Sequence, residues 1–366
     1  MYLKKLLLKN FRKFTESQIE FSPSINCILG NNAAGKTTLL EAIILLSTGK
    51  SFRTNQYSDL IQEGKEYLYL EGLLDNDGEE STIKVFFNGS QKKISLGGIS
   101  FSTFSSLLSS FPSVLFTPLD MQLIDNSPTC RRRFLNVQEV QINKDYRYHL
   151  YRFSKSLQQR NSALRSRNGL QAAPWESFLS DSGFYIMQKR NEMISELNEW
   201  IERNIFESPY LEEFMLLYSP SCPLPDSIST LDSLYEKTRD RDIRNQTTGF
   251  GIHRDDLLFV QKNSPRHMKK FSSEGQKRTA LFAIKLAEWN RLQSKMQTEP
   301  IFCLDDLSLH LDSERLAYFT QSLARLKQVI ITSPVPLADQ TSSMHCIKLD
   351  KGADNGLSAC TRSREK

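Results

Sequence analysis

A glycine-rich segment near the N-terminus constrains the fold more than any other feature of this 366-residue chain. It runs from Gly30 to Thr37, reads GNNAAGKT, and fits the pattern GxxxxGK[ST] at every fixed position. The apolar run 25–29 precedes it, and apolar residues at helical spacing follow from about Lys36 to Leu46. A strand, a glycine loop and a helix in this order predict an α/β fold with a phosphate-binding loop.

The residue types of this loop explain how it would hold a nucleotide. Glycines let the backbone curl so that its N–H groups converge on phosphate, and the positive end of the following helix adds to that field. Lys36 is predicted to reach the β- and γ-phosphates, and the Thr37 hydroxyl to ligate Mg²⁺. The predicted nucleotide-binding residues here are Gly30, Asn31, Asn32, Ala33, Ala34, Gly35, Lys36, Thr37 and Thr38.

Two acids follow a second apolar strand far along the chain. The run Ile301–Leu304 is followed by Asp305 and Asp306. Ligands collect at the carboxyl ends of parallel strands, so these acids should emerge beside the phosphate loop. Asp305 is the predicted Mg²⁺ ligand. Asp306 and Lys36 are the predicted catalytic residues, and Asp306 is predicted to be the base that polarises the attacking water. The structural alternative is a strand that ends in two solvated acids.

The segment 272–276, which we name the signature turn, reads Ser-Ser-Glu-Gly-Gln and precedes an amphipathic helix. Ser273 and Gln276 have the spacing of a capping box, which would make the turn a helix start and nothing more. Alternatively, Ser273, Gly275 and Gln276 form a second anion cradle at a helix N-terminus. One chain cannot easily bring two cradles to one γ-phosphate, so this interpretation predicts a homodimer that forms on ATP.

Two further positions are weaker candidates. Asp312 lies six residues after Asp306 and could contact a partner protomer. Ser333 ends the apolar run that begins at Val329, where a γ-phosphate sensor would lie, although an ordinary strand-end serine is an equal alternative.

The distribution of strand and helix patterns along the sequence predicts one α/β domain built from both chain ends. Residues 1–118 and 249–366 are rich in strand patterns, whereas residues 119–248 have long polar segments of helical period. We therefore predict an inserted, mainly helical lobe at 119–248. The predicted strands are Tyr2–Leu8, Gln18–Phe21, Ile25–Leu29, Tyr67–Leu73, Thr82–Phe87, Leu257–Val260, Ile301–Leu304, Val329–Thr332 and Cys346–Leu349. The longer predicted helices are Tyr148–Ser166, Gly183–Asn204 and Arg278–Leu292.

Composition narrows the class of protein. Apolar runs reach only five residues, as in Ala42–Leu46, so no membrane span is expected. The six cysteines are scattered without a CxxC pair, which favours reduced thiols in a cytoplasmic protein. Net charge is +5, but residues 131–190 carry 12 Lys and Arg against 4 Asp and Glu, and residues 191–250 carry 5 against 12. Either these are two solvated faces that partly neutralise each other, or the basic part meets a polyanion.

With these residues placed, the chain closely resembles the RecF family, recombination-mediator ATPases related to the heads of SMC proteins. Several matching stretches lie outside the generic nucleotide-binding motifs, which makes the resemblance specific. They are Leu8–Arg12, Lys50–Arg53, Thr117-Pro118, Ser127–Leu135, Gln159–Asn161 and Gly251–Leu257. The insert of about 130 residues also lacks the sustained heptads of an SMC coiled coil.

The resemblance implies an ABC-ATPase head, that is, a P-loop NTPase with a mixed sheet. It implies ATP and Mg²⁺ as ligands, slow ATP hydrolysis, and ATP-dependent binding of single-stranded, gapped or junction DNA. It further implies recombinase loading together with RecR and RecO, and a role in the SOS response. The chain departs from the family where Leu309-His310 replaces Ser-Glu before Leu311-Asp312, and where Ile252 replaces the proline before His253.

DNA contacts are expected to fall mostly on phosphate, with steep salt dependence. The candidate residues are Arg131, Arg132, Arg133, Arg152, Lys155, Arg160 and Arg165. Arg131–Arg133 could instead pin one lobe to the other through carboxylates.

The position of a Q-loop glutamine is open between Asp120 and Gln122. Two other functional classes stay open: a P-loop kinase or transferase, which would give the signature turn no role, and a binding module without turnover.

Overall fold

The computed structural model describes residues 1–103, 108, 110–166, 169–204, 214–262, 266–306, 313–334 and 344–349. Two compact units divide the chain, Met1–Asp120 with Leu281–Lys366 and Met121–Ala280. The first boundary lies close to the predicted one at 118, but the contacts of residues 249–280 place them with the second unit. The division into an ATPase head and an inserted lobe stays a prediction.

Six antiparallel strands form one sheet of the first unit, in the order β2-β1-β4-β5-β6-β7. Tight turns join its hairpins: Asp77-Gly78 and Gly97-Gly98 all have positive φ, as a two-residue type I′ turn requires. The strands are β1 (Tyr2–Phe11), β2 (Phe14–Glu20), β4 (Leu68–Asn76), β5 (Glu79–Phe87), β6 (Lys92–Leu96) and β7 (Ile99–Phe101).

The other sheet of this unit has five strands in the order β13-β3-β12-β11-β8, and every strand pair in it is parallel. The strands are β3 (Ile25–Leu29), β8 (Ser113–Phe116), β11 (Ile301–Leu304), β12 (Val329–Ser333) and β13 (His345–Lys348). β3, β11 and β12 are buried along their whole length, which explains their mainly apolar sequences. Their carboxyl ends therefore lie along one edge, where the predicted site residues follow.

Helices α1 (Lys36–Thr48) and α10 (Ser313–Leu323) also belong to the first unit, while α9 (Glu274–Met296) begins in the second and ends in the first. From Thr38 to Ser47 every residue of α1 is buried, in a core that includes Leu6 and Ile28. Phe282 of α9 stacks on Phe319 of α10, with ring centroids 3.7 Å apart. The phosphate helix is thus held by packing over its whole surface rather than by one amphipathic face.

The second unit is mainly helical. A two-stranded sheet pairs β9 with β10 in antiparallel register across the intervening helix α7, which ties the segment after residue 249 to this unit. The elements are α2 (Met121–Asp125), α3 (Pro128–Ile142), α4 (Lys144–Arg165), α5 (Gly169–Ala172), α6 (Glu176–Asn204), β9 (Phe214–Ser219), α7 (Ile228–Asn245), β10 (Asp256–Gln261) and α8 (Met268–Phe271). Among the described helices, none combines the length and the apolar character that crossing a bilayer requires.

Two fully buried arginines connect the helices of the second unit. Arg160 on α4 donates to Glu176 at 3.0 Å and to Asp242 at 2.8 Å. Arg190 on α6 donates to Asp255 at 2.8 Å, just before β10. Because a buried charge is tolerated only when it is paired and hydrogen-bonded, these contacts fix the helices in register.

Candidate functional site

The glycine loop adopts the conformation that its sequence predicts. β3 ends at Leu29, α1 begins at Lys36, and between them Ala33 and Gly35 have φ values of 65° and 104°. A Cβ on Gly35 would lie 2.4 Å from Cε of Lys13, so this position accepts only glycine without a rearrangement. The strand-loop-helix order is therefore as predicted, and the binding of phosphate by this loop stays a prediction.

Lys36 lies folded over this loop. Its ammonium donates to the carbonyl of Gly30 at 2.6 Å and to that of Asn31 at 3.1 Å. An ammonium has three donors and a flexible stem, so it can exchange a carbonyl for a phosphate oxygen in the same small volume.

The residues predicted to ligate Mg²⁺ meet at the sheet edge. Oγ1 of Thr37 donates to Oδ1 and Oδ2 of Asp305 at 3.1 and 3.0 Å, although the two residues are 268 positions apart in the chain. A hydroxyl and a carboxylate are the hard oxygen ligands that Mg²⁺ takes alongside phosphates and water. These side chains thus fit a magnesium ion beside the phosphate loop.

Thr332, at the end of β12, holds this carboxylate in place. Its hydroxyl donates to Oδ1 of Asp305 at 2.6 Å and accepts from the backbone N–H of Asp306 at 3.0 Å. The sequence shows a strand that ends in hydroxyls, but its alternation does not say which one faces the acids. Ser333, the predicted sensor, is fully buried, and its role stays a prediction.

Asp306 has a φ of 58°, in the left-handed region that a non-glycine residue seldom adopts. Such conformations persist where the surrounding structure fixes them, and they concentrate at functional sites. Here the strand end and the bond to Thr332 fix the backbone.

In β11 itself, burial and the nearby Asp305 carboxylate raise the pKa of the Cys303 thiol, so this cysteine stays protonated.

Glu41 on α1 is a buried carboxylate behind the phosphate loop's helix that the sequence did not indicate. Its fully buried carboxylate accepts from Arg12 at 2.8 Å, from Arg53 at 3.4 Å and from the hydroxyl of Ser51. Arg12 and the pair Ser51 and Arg53 lie in two of the stretches that carry the resemblance to the RecF family. Both stretches are thus anchored on the helix that follows the phosphate loop.

The signature turn has the geometry of a capping box. The backbone N–H of Ser273 donates to the side chain of Gln276 at 2.6 Å, and the N–H of Gln276 donates to Oγ of Ser273 at 3.2 Å. These bonds satisfy two of the N–H groups that a helix leaves unpaired at its start. The capping interpretation is confirmed, and the roles of Ser273, Gly275 and Gln276 toward nucleotide stay predictions.

Two of the candidate DNA contacts are wrong. Arg160 is fully buried in its carboxylate network, and the side chain of Arg131 is bound to Asp256 at 2.6 Å. Arg132 donates to the backbone carbonyl of Asp255 at 2.9 Å but is only half-buried, so its contact with DNA stays a prediction. Of the alternative considered for Arg131–Arg133, only the carboxylate partner is found, and only for Arg131; Asp256 lies in the same unit, so this contact does not pin one lobe to the other.

Other candidates have mixed outcomes. Arg133, Lys155 and Arg165 are exposed, while Arg152 is paired with Asp181. Asp120 accepts from the backbone of Thr117 at 2.6 Å, and Gln122 accepts from Cys130 at 3.8 Å, so neither contact identifies a Q-loop residue. Leu309, His310, Leu311 and Asp312 lie outside the described residues.

The model of the "RecF/RecN/SMC N terminal domain" family matches residues 2–346. A curated relative from Protochlamydia amoebophila, "DNA replication and repair protein RecF", is 36% identical over 92% of this chain and 95% of its own length. The chain belongs to the RecF family. The resemblance seen in the sequence is therefore confirmed at the level of the family.

Solved structures agree with the RecF assignment and confirm the predicted fold class. One, described as "Structure of the recombination mediator protein RecF-ATPrS in RecFOR pathway", has 28% sequence identity and a TM-score of 0.88 over 98% of both chains. A second, a Smc head bound to the C-terminal winged-helix domain of ScpA, shares the fold at 15% identity and a TM-score of 0.53, over 100% of this chain and 99% of its own. The fold is that of the RecF and SMC ABC-ATPase heads, with its parallel and antiparallel strands in separate sheets.

Proposed function

We propose that this chain is an ATP-driven DNA-binding protein of replication and recombinational repair. It binds Mg²⁺ and ATP at the edge of the parallel sheet, dimerises on ATP, and hydrolyses ATP slowly to release DNA. The observation that carries the proposal is the meeting of Thr37 and Asp305 at 3.0 Å, beside Lys36 on the phosphate loop. Residues from distant parts of the chain thus supply a hydroxyl, a carboxylate and a cation to one small volume.

Each site residue has a distinct task in this proposal. Lys36 and the backbone N–H groups of the loop bind the phosphates, and Thr37 and Asp305 hold the metal. Mg²⁺ supplies neutralisation of charge on the phosphate oxygens. Asp306 orients and polarises the attacking water, and Thr332 keeps Asp305 pointed at the metal position.

The dimer follows from the signature turn. Its capping box already orients the N-terminus of α9, with Ser273 at the tip, so the turn can offer a hydroxyl and N–H groups to an anion. In the proposed dimer, the turn of one protomer closes on the γ-phosphate held by the loop of the other. ATP then acts as a switch, because the two copies separate once the γ-phosphate has left.

The cellular role rests on the relatives. Curated relatives are named "DNA replication and repair protein RecF", and one solved structure is assigned to the RecFOR pathway. We propose that this chain acts likewise, in the cytoplasm, on single-stranded, gapped or junction DNA. RecR and RecO are its proposed partners in loading recombinase, and the SOS response is its proposed setting.

Light scattering on the full chain tests the proposal. With Mg²⁺ and ATP the mass should double, and without nucleotide, or with EDTA, it should return to that of one chain. Lys36→Met should stay monomeric in all conditions. A wild-type protein that stays monomeric at saturating Mg-ATP, with DNA present, would exclude the two-copy mechanism.

A further inference from the structure

A stripe of aromatic and basic side chains runs along the solvent side of α4 in the second unit. Lys144, Tyr148, Tyr151 and Lys155 lie at spacings of four, three and four residues, so they share one face of the helix. Tyr148 is 59% exposed and Tyr151 is 66% exposed, unlike the rings of a packed core. At 1.5 Å per residue this face spans roughly 16 Å. We name these four residues the α4 stripe.

The stripe continues onto α6 through ring contacts. Arg152 lies 5.9 Å from the ring centre of Tyr148 and 4.8 Å from that of Phe178, which is 39% exposed. Trp175 contacts Phe178 at 6.0 Å between ring centres. The ammonium of Lys155 lies 5.9 Å from the ring of Tyr151. Cations held against ring faces are already oriented, and little entropy is lost when a ligand binds beside them.

The charge around these rings favours an anionic partner. Residues 144–155 contain four basic side chains and one acid, Asp145, and Asp181 on α6 pairs with Arg152. Among the described residues, no carboxylate forms an ion pair with Lys144 or Lys155. Exposed rings beside unneutralised ammonium groups are the combination that binds single-stranded nucleic acid, because bases stack on the rings and phosphates meet the cations. A duplex has no free base faces to offer.

We propose that the α4 stripe, with Phe178 and Trp175, binds unpaired bases of single-stranded DNA. The inference rests on the proposed DNA-binding function, and it assigns the binding of single-stranded DNA to a named surface. Tyr148 and Tyr151 stack bases, while Lys144 and Lys155 contact phosphates on either side. The stripe thus selects the single-stranded part of a gapped substrate, and this selection does not depend on the base sequence.

Fluorescence anisotropy tests this on the full chain with Mg-ATP, using oligo-dT and a blunt duplex of the same length. The Tyr148→Ala/Tyr151→Ala pair should weaken oligo-dT binding at least about tenfold and duplex binding less than about twofold. The Tyr148→Phe/Tyr151→Phe pair keeps the rings and should bind both substrates like wild type. Tyr67→Ala is a matched control, since that ring is 40% exposed and lies in the first unit.

Two results would overturn the proposal. Equal weakening on both substrates would mean that the rings only support the fold or the general charge. Unchanged oligo-dT binding by the alanine pair would assign the stripe to a protein partner instead. Light scattering on the same samples separates these results from failure of the proposed function, in which the wild-type chain neither dimerises on ATP nor binds either DNA.

Discussion

The carboxylate of Asp305 is oriented by two hydroxyls, one from the phosphate loop and one from β12. In the proposed Mg²⁺ complex Thr37 would become a ligand, and Thr332, at 2.6 Å, would still orient the acid. Thr332 also accepts the N–H of Asp306. One buried hydroxyl therefore supports both the proposed metal ligand and the proposed base, which makes it the most informative position to change.

Thr332→Val keeps the shape of this side chain and removes its hydroxyl. We expect the apparent affinity for Mg²⁺ to fall about 10- to 100-fold, as for other residues that orient a metal ligand. The measurement is the rate of ATP hydrolysis as Mg²⁺ is titrated. Thr332→Ser should restore the wild-type midpoint. If Thr332→Val lowered the rate at every Mg²⁺ concentration without moving the midpoint, Thr332 would act on Asp306 instead.

Asp306→Asn tests the proposed base. Asparagine adopts the left-handed conformation of this position readily, so the variant should fold like wild type. It should bind ATP normally, hydrolyse it at least about 100-fold more slowly, and keep the dimer for longer. Nucleotide binding by fluorescence and dimer lifetime by light scattering are the measurements. Loss of ATP binding would count against Asp306 as the residue that polarises water.

At this scale the sequence predicted the roles that depend on local pattern. Lys36 and Thr37 follow from the loop motif, and Asp305 follows from a buried strand that ends in acids. Arg160 was misassigned to DNA because its partners, Glu176 and Asp242, lie far away in sequence and only the fold brings them together. A basic residue in a basic segment does not reveal whether it faces solvent or a buried acid.

Among the elements, α9 carries two predicted tasks at one end. Ser273 caps the helix, and in the proposed dimer it also meets the γ-phosphate of the partner. Aspartate caps a helix as well as serine does, but it repels phosphate. The two tasks can therefore be separated by changing one residue.

Ser273→Asp should leave the stability of the chain within about 0.5 kcal/mol of wild type and abolish dimerisation on ATP. Ser273→Ala should cost about 1 kcal/mol of stability, because the N–H of Gln276 loses its acceptor. Chemical denaturation and light scattering measure the two effects. Dimerisation of Ser273→Asp at wild-type ATP concentrations would show that the turn is a cap and nothing more.

Element boundaries were predictable where local signals were strong. β3 and β11 have the predicted limits, since each is a short apolar run that turn residues or acids end. The helix predicted from Gly183 begins instead at Glu176 as α6, because that buried glutamate is held by Arg160 of another helix. β9 was not predicted, since its strand character depends on pairing with β10. Tertiary contacts decide such elements, and local pattern does not contain them.

At the scale of the whole molecule, the chain has two compact units, each with its own core. The sequence indicated this division because strand patterns give way to long segments of helical period along the chain. It did not show that residues 249–280 join the helical unit, because Asp255 and Asp256 are bound by arginines of α6 and α3. Two units of this size can unfold in separate transitions. A measurement of the stability of one unit therefore needs a probe that reports on that unit alone.

Acid should weaken the second unit through His253. Burial lowers the pKa of this imidazole to about 4 from 6.5, and its ring lies 5.9 Å from Phe153. Because the unfolded chain takes up the proton near pH 6.5 and the folded chain only near pH 4, the stabilisation is complete above pH 6.5 and is lost as the pH falls to about 4. Since the ring is partly exposed, we expect the loss to be about 2 kcal/mol.

Tryptophan fluorescence can isolate this unit. The three tryptophans are Trp175, Trp200 and Trp289, and Trp289→Phe leaves two that both lie in the second unit. Denaturant titrations of this variant between pH 7 and about pH 4 should show the unfolding free energy falling with acid. Adding His253→Phe should flatten that slope, whatever its effect at pH 7. Charges that act on His253 are those of Arg254, Asp255 and Arg132. An unchanged slope would show that the acid response does not come from His253.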